Sequence, residues 1–165
     1  MNQELQSKLE KDFPFMEKHQ NQDNTYSKYG CECYDGWYPL LHDLCQEIQK
    51  IYQNYQIKPD ILILQIKEKF AALRFYYTFE NEPCSVQAID FLNSGQSLRL
   101  YSHNDDNNAI TGKLRSEIRQ TVQNYEQKSK TICEFCGDSG QVRNDIPWMR
   151  TLCNACYANQ LAKFK

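Results

Sequence analysis

The longest run of apolar positions at helical spacing begins just after Asp35 and Gly36. These positions fall on one stripe of a helix. They are Trp37, Leu40, Leu41, Leu44, Cys45, Ile48, Ile51, Tyr52 and Tyr55. Asp35 is suited to cap the helix, and a proline is tolerated in its first turn. The stripe predicts a helix that packs on a large apolar surface, with Cys45 as a buried core thiol.

Two segments after this helix carry the patterns of β-strands. Residues 61–66 form a continuous apolar run with β-branched members, and residues 73–79 alternate between apolar and other side chains. Residues 67–72 join them, and so short a connection predicts an antiparallel hairpin. The sequence therefore predicts the α+β class, with a small antiparallel sheet packed on amphipathic helices.

The remaining segments have weaker patterns. Helical spacing predicts a short helix over residues 2–11 and a longer one over residues 110–128. Residues 19–29 are polar without a period, which predicts a loop. Residues 84–93 are compatible with a short helix, and residues 97–101 alternate as a third strand would.

Two Cys-x-x-Cys pairs are the clearest chemical signal in the chain. Cys133 and Cys136 form the first pair and Cys153 and Cys156 the second, with sixteen residues between the pairs. Four thiolates in this arrangement suit a tetrahedral zinc ion, with Zn–S distances of about 2.3 Å. Redox-active pairs or buried thiols are the alternative interpretation. We predict one structural Zn²⁺ per chain.

The residues around the cysteine pairs predict a compact module. Gly137 stands where a tight knuckle needs a positive φ. The second pair opens a helical pattern, so that the amides and the positive dipole of a helix N-terminus would face the thiolates. Knuckle, loop and helix follow the treble-clef order. We predict two domains, an α+β domain of residues 1–129 and a zinc module of residues 130–165.

Charge and composition exclude several classes of function. The net charge is -2, and residues 130–165 carry five basic and three acidic side chains. A domain that held nucleic acid mainly through phosphates would be far more basic. The chain shows no apolar leader and no stretch of membrane length, which predicts a cytoplasmic protein without a membrane partner. In that compartment paired cysteines favour metal over disulfides.

Part of the module resembles a known family of zinc fingers. The sequence Leu-Cys-Asn-Ala-Cys at residues 152–156, with Trp148 before it, is similar to the start of the helix in GATA-type zinc fingers. The resemblance covers only the C-terminal module and implies a treble-clef zinc fold. It also implies DNA binding, although residues 146–150 here replace the basic segment of those fingers.

A second resemblance extends over most of the chain. It rests on Glu-Cys-Tyr-Asp-Gly-Trp at residues 32–37, on Gln-Ile-Lys-Glu-Lys-Phe-Ala-Ala-Leu-Arg-Phe-Tyr at residues 65–76, and on Cys-x-x-Cys-Gly with a later Thr-Leu-Cys. Together these blocks look like a group of uncharacterised small proteins from bacteriophages and prophages. The resemblance implies a bacterial or phage-infected cytoplasm and gives no activity. The chain departs from the usual forms at Tyr34, Ala71 and Ala72.

Binding is favoured over catalysis. A zinc ion held by four cysteines has no vacant position for water, and the three histidines are far apart in sequence. Exposed aromatic and arginine side chains are typical of interaction hot spots, and the loop before the second cysteine pair holds Trp148, with Arg143 and Arg150 nearby. These three residues could equally cap the zinc site. We expect an inhibitor or adaptor that binds a host protein, with a role such as counter-defence.

Two other ligand classes remain open. Nucleic acid bound through the zinc helix is the first, with an affinity that falls steeply with salt. A small nucleotide signal is the second, because Lys67, Lys69 and Arg74 with nearby tyrosines could line a basic, aromatic pocket. A solvated hairpin tip is the commoner meaning of such a charge run.

Overall fold

The computed structural model describes residues 1–18, 23–80, 87–91, 96–100 and 109–163, with only the backbone described at 87–91 and 96–100. It confirms the α+β class. The helices in these ranges are α1 Gln3–Asp12, α2 Thr25–Tyr29, α3 Tyr38–Tyr55, α4 Ala109–Lys128 and α5 Asn154–Ala162. The strands are β1 Cys31–Glu32, β2 Ile61–Lys69, β3 Ala72–Phe79, β4 Gln87–Phe91, β5 Gln96–Leu100, β6 Gln141–Arg143 and β7 Arg150–Leu152. Short 3₁₀ turns cover Pro14–Met16, Asp35–Trp37 and Ser129–Thr131.

The main hydrophobic core lies between helix α3 and the sheet β1-β2-β3. Strand β1 is parallel to β2, and β2 is antiparallel to β3. The apolar stripe of α3 is buried against this sheet, and α4 packs beside α3. The side chains that are fully buried here include Trp37, Leu41, Leu44, Cys45, Ile48, Ile66, Leu73 and Phe75. The predicted helix, the hairpin and the buried thiol of Cys45 are therefore confirmed.

The hairpin is longer than its apolar residues indicate. Strand pairing continues to Lys69 and Ala72, so only Phe70 and Ala71 form the turn. Both have positive φ, at 53° and 57°, as the central residues of a two-residue hairpin turn require. Glu68 accepts a hydrogen bond from the Ala71 amide at 2.8 Å and fixes the turn from within.

Helix α4 closes the outer side of strand β3. The Leu73 amide donates to Ser129 Oγ at 2.9 Å, and the Phe75 amide donates to Glu126 Oε1 at 2.8 Å. Both acceptors are buried. Side chains from the end of the helix thus occupy positions that a fourth strand would otherwise take.

Three local predictions are corrected. Part of the expected loop at 19–29 is helix α2. The Asn24 side chain caps its start by accepting a hydrogen bond from the Ser27 amide, and Gly30 ends it with a φ of 67°. Asp35 does not cap α3, since its carboxylate accepts hydrogen bonds from the backbone and side-chain nitrogens of Asn2, at 2.7 and 2.9 Å.

The third correction concerns the segment between the hairpin and α4. Where a short helix was expected, residues 87–91 form strand β4, and the expected third strand pairs with β4 in a separate two-stranded sheet. The rest of the expected helix, at 84–86 and 92–93, lies outside the described residues. None of the helices in the described ranges combines the length and the apolar character needed to cross a membrane.

Candidate metal centre

The structure brings the two predicted cysteine pairs into one cluster. The sulfur atoms of Cys133, Cys136, Cys153 and Cys156 all lie within 4.8 Å of one another. Cys133 and Cys153 are buried, Cys156 is half-buried and Cys136 is exposed. Four converging sulfurs are a donor set that soft metal ions accept. The cluster therefore fits a metal ion and confirms that these four residues lie together.

A tight knuckle positions the first pair. Gly137 has a φ of 84°, which confirms the positive value expected there. Its amide donates to the Cys133 carbonyl at 2.9 Å, and the Cys133 amide donates to the Asp138 carbonyl at 2.7 Å. These two bonds hold the backbone so that both thiols of the pair face the same side.

The second pair stands at a hairpin and a helix start. Strands β6 and β7 pair antiparallel, and β7 leads into Cys153, which caps α5. The Cys156 amide lies 3.4 Å from Cys153 Sγ and donates to it. This hydrogen bond, together with contacts from the side chains of the other three cysteines, lowers the pKa of the Cys153 thiol to about 7. The helix start therefore favours the thiolate form that a metal requires.

A buried ion pair lies beneath the knuckle. Glu134 is 0% exposed and accepts a hydrogen bond from the guanidinium of Arg150. Burial raises the pKa of Glu134 to about 7, although Arg150 opposes the shift. The Arg150 guanidinium lies 4.9 Å from the centre of the Tyr34 ring and 5.4 Å from that of Phe135. Arg150 thus joins the knuckle to β7 and to the segment before α3.

Backbone contacts attach the module to the α+β core. The Gly36 amide donates to the Glu134 carbonyl at 3.0 Å, and the Trp37 indole N–H donates to the Ile132 carbonyl at 2.9 Å. Thr151 Oγ1 donates to the Ala71 carbonyl at the hairpin turn, at 2.7 Å. These contacts tie the residues on the two sides of the predicted domain boundary closely together. The boundary after residue 129 itself stays a prediction.

Comparison of the chain with known proteins finds no relative. The chain matches no protein-family model, no curated protein and no solved structure. The four-cysteine cluster and the side chains around it are therefore the basis for inferring a function.

The loop between β6 and β7 presents the predicted tryptophan to solvent. Trp148 is 75% exposed, and Met149 beside it is also exposed. Arg143 is engaged, since its guanidinium donates to Asn154 Oδ1 at 2.6 Å and lies 4.3 Å from the Tyr157 ring centre. Of the three residues expected to form a binding surface on the module, Trp148 alone is largely exposed, while Arg143 and Arg150 hold the module together.

The hairpin residues expected to line a basic, aromatic pocket are only partly accessible. Lys67 Nζ lies 5.4 Å from the ring centre of Tyr76, and Lys69 Nζ lies 5.4 Å from that of Phe70. Both lysines are half-buried. The expectation that Arg74 lies at the surface is wrong. Its side chain is 3% exposed and is buried at the hairpin.

The other described cysteines and His42 show no sign of a second site. Cys31, Cys33 and Cys45 are buried, and burial raises the pKa of each thiol well above its ordinary value. His42 lies 3.7 Å from an Asp12 carboxylate oxygen at the surface. Cys84 lies outside the described residues.

Sequence reasoning missed the residues that support the cluster from outside the module. The sequence pattern marks Gly36 and Trp37 only as the start of a helix, and Tyr34 only as a departure from a motif. Glu134 lies between the ligands of the first pair and carried no separate signal. Opposite charges at Glu134 and Arg150 are compatible with an ion pair, but their spacing in the sequence does not identify Arg150 as the partner.

Proposed function

We propose that this protein is a non-catalytic zinc protein that acts by binding another protein. One observation carries the proposal: a four-cysteine cluster and a largely exposed tryptophan lie on the same small module. The cluster provides a rigid scaffold and the tryptophan provides a contact that has no structural role in the module's own interior.

Zinc is the metal that the donor set favours. Four thiolates suit tetrahedral Zn²⁺, with iron as the other common occupant of such a site. Knuckle, hairpin β6–β7 and the start of α5 occur in the treble-clef order. With four sulfurs bound, the ion has no open position for a reacting group, so its role would be structural. We expect one zinc per chain by elemental analysis, and stoichiometric iron would rule out this identity.

The tryptophan loop is held in place for recognition. Ile146 is buried in the module, and Tyr157 donates a hydrogen bond to Asp145. Trp148 then lies outside this anchored part of the loop, where its large apolar surface faces water. Exposed tryptophan on a rigid support loses little conformational entropy on binding, which is why tryptophan is enriched at hot spots.

We propose that the partner is a protein of a bacterial host cell and that binding inhibits or redirects it. The sequence resemblance to bacteriophage and prophage proteins supports this choice, as does the low net charge of -2. A cytoplasmic location and a role in counter-defence belong to the same proposal.

Matched exposed aromatics allow a direct test. Wild-type protein, Trp148→Ala and Tyr29→Ala would each be immobilised and exposed to bacterial lysate at moderate salt. Tyr29 is 68% exposed but lies on α2, outside residues 130–163. A partner retained stoichiometrically would be purified, and its Kd should rise about 30-fold or more with Trp148→Ala while Tyr29→Ala leaves it unchanged. Equal affinities for the two variants, or no stoichiometric partner, would count against the proposal.

Nucleic acid is the second candidate, and the exposed Trp148 with Lys163 at the end of α5 favours it. The engagement of Arg143 and Arg150 within the module argues against it, because phosphate contacts supply most of such affinity. A mobility shift at low salt that disappears on raising the salt, and that is lost in Lys163→Ala, would support this alternative. A small nucleotide as the ligand is less well supported, because Arg74 is buried. Mass spectrometry of molecules released from the purified protein by heat would detect such a ligand.

A further inference from the structure

The knuckle of the metal centre rests directly on the backbone before helix α3. A Cβ atom at residue 36 would lie 2.5 Å from the Cys133 carbonyl oxygen, 2.6 Å from the Gly137 nitrogen and 2.7 Å from the Cys136 nitrogen. A Cβ atom at Gly137 would in turn lie 3.1 Å from the Gly36 carbonyl oxygen. The two glycines therefore face each other, and only glycine at residue 36 permits the backbones to approach this closely.

Hydrogen bonds fix the two backbones in this position. The Gly36 amide donates to the Glu134 carbonyl, inside the first cysteine pair. The Trp37 indole N–H donates to the Ile132 carbonyl, one residue before the first cysteine. Trp37 is at the same time fully buried in the main core. A single turn, Asp35–Trp37, therefore contacts both the metal centre and the interior of the α+β body.

A second set of contacts involves the hairpin turn, strand β3 and the end of α4. Thr151, next to the second cysteine pair, donates to the Ala71 carbonyl in the hairpin turn. Ser129, just before the module, accepts from the Leu73 amide of β3 and donates to the Glu126 carbonyl of α4. The Thr151 bond is buried and crosses from the module to the body, so displacement of the cluster would leave the Ala71 carbonyl unsatisfied.

We propose that the turn Asp35–Trp37 is a positioning part of the metal centre, so that metal binding and folding of the α+β body form one cooperative unit. The proposal rests on the metal site proposed above and goes beyond it. It departs from the two-domain prediction, in which loss of metal would unfold residues 130–165 alone. The hydrogen bonds from the turn reach the carbonyls of Glu134 and Ile132, so the turn acts by holding the backbone at the knuckle.

Thermodynamic linkage makes the proposal measurable from both sides. A ligand that binds only the folded cluster stabilises every element whose folding is coupled to that cluster. The coupling is reciprocal, so unfolding of the body must weaken metal binding by the same factor by which metal loss weakens folding of the body. A substitution at residue 36 should therefore alter metal retention, although it lies 97 residues before Cys133 in sequence.

The first experiment compares two glycine-to-alanine variants of the full chain. Gly36→Ala places a methyl group against the knuckle backbone, whereas a Cβ at Gly112, exposed in α4, would meet nothing within 4 Å. Zinc transfer to a chromophoric chelator would be measured for both variants and for the wild type. We expect Gly36→Ala to bind zinc at least about tenfold more weakly, because overpacking displaces the knuckle, and Gly112→Ala to match the wild type.

The outcomes separate this proposal from the zinc proposal. Failure of the wild type to bind zinc would defeat the metal assignment itself. Zinc binding by the wild type with equal affinities in Gly36→Ala and Gly112→Ala would overturn the positioning role of the turn and leave the metal assignment intact.

A second measurement on the wild type keeps the test decisive if Gly36→Ala does not fold. Hydrogen exchange of the backbone amides would be followed with zinc bound and after chelation. We expect amides of α3 and β3, outside the module, to exchange at least about tenfold faster without zinc. Loss of protection restricted to residues 130–163, with α3 and β3 unchanged, would show two independent units and refute the proposal.

Discussion

Removal of the Glu134–Arg150 ion pair should destabilise the module strongly. Glu134 is 0% exposed, and the Arg150 side chain is 19% exposed. The second carboxylate oxygen of Glu134 has no hydrogen-bond partner among the described residues. Arg150→Met keeps an unbranched side chain in β7 and removes the guanidinium. The carboxylate of Glu134 would then be buried without a cation.

The structure sets the size of the effect. Removing one partner of a buried ion pair costs about 3 to 5 kcal/mol. Water reaches part of Arg150, which places the expected loss near the lower end, at about 3 kcal/mol near pH 8, where Glu134 of the wild type is ionised. Burial raises the pKa of Glu134 to about 7, above its ordinary value of 4.5. Removing Arg150 should raise the pKa of Glu134 further, because the guanidinium opposes the shift. Ionising Glu134 then costs more in the variant than in the wild type, so the free energy of unfolding lost in Arg150→Met should grow as the pH rises from 6.5 to 8.

Urea unfolding of the zinc-loaded protein would measure this loss. Wild type, Arg150→Met, Glu134→Gln and the double variant form a cycle in which the coupling free energy is obtained directly. We expect the double variant to recover at least half of the loss in Arg150→Met, because glutamine carries no charge. A loss below about 1 kcal/mol in Arg150→Met, or strictly additive effects, would refute the importance of the pair.

Three further predictions follow from single residues. Gly137→Ala should destabilise by about 2 kcal/mol because of the positive φ, lowering Tm by about 4 to 8 °C in a thermal scan, and an unchanged Tm would contradict the knuckle geometry. Ile48→Ala should lower the free energy of unfolding by about 3 kcal/mol with an unchanged urea m-value, since Ile48 is fully buried. After zinc removal under native conditions, Cys136 should react with iodoacetamide well before Cys45, because Cys136 is exposed and Cys45 is buried. Equal labelling rates would show that the core opens as easily as the cluster.

Strong periodic patterns and short-range chemistry could be read from the sequence alone. The stripe that becomes α3, the hairpin β2–β3 and the two cysteine pairs all repeat their signal over neighbouring residues. The knuckle glycine was also predictable, because its conformation depends on local geometry. These features require no knowledge of which distant residues lie nearby.

Features decided by distant partners were not predictable. Helix α2 has only five residues, and its Tyr26 side chain is buried by contacts with Gln6 and Met16 from outside the segment. The turn at Phe70 and Ala71 lacks the glycine or asparagine that usually signals positive φ. The burial of Arg74 likewise depends on tertiary packing, which its alternating strand pattern does not reveal.

The way in which α4 covers strand β3 affects how the protein behaves in concentrated solution. A strand at the border of a sheet can act as a template on which a strand from another molecule adds, and such addition leads to aggregation. Here the amides of Leu73 and Phe75 are already bound by Ser129 and Glu126 of the same chain. Intermolecular growth of the sheet at these positions would first require the end of α4 to detach from β3, and the four-cysteine cluster follows that helix closely along the chain.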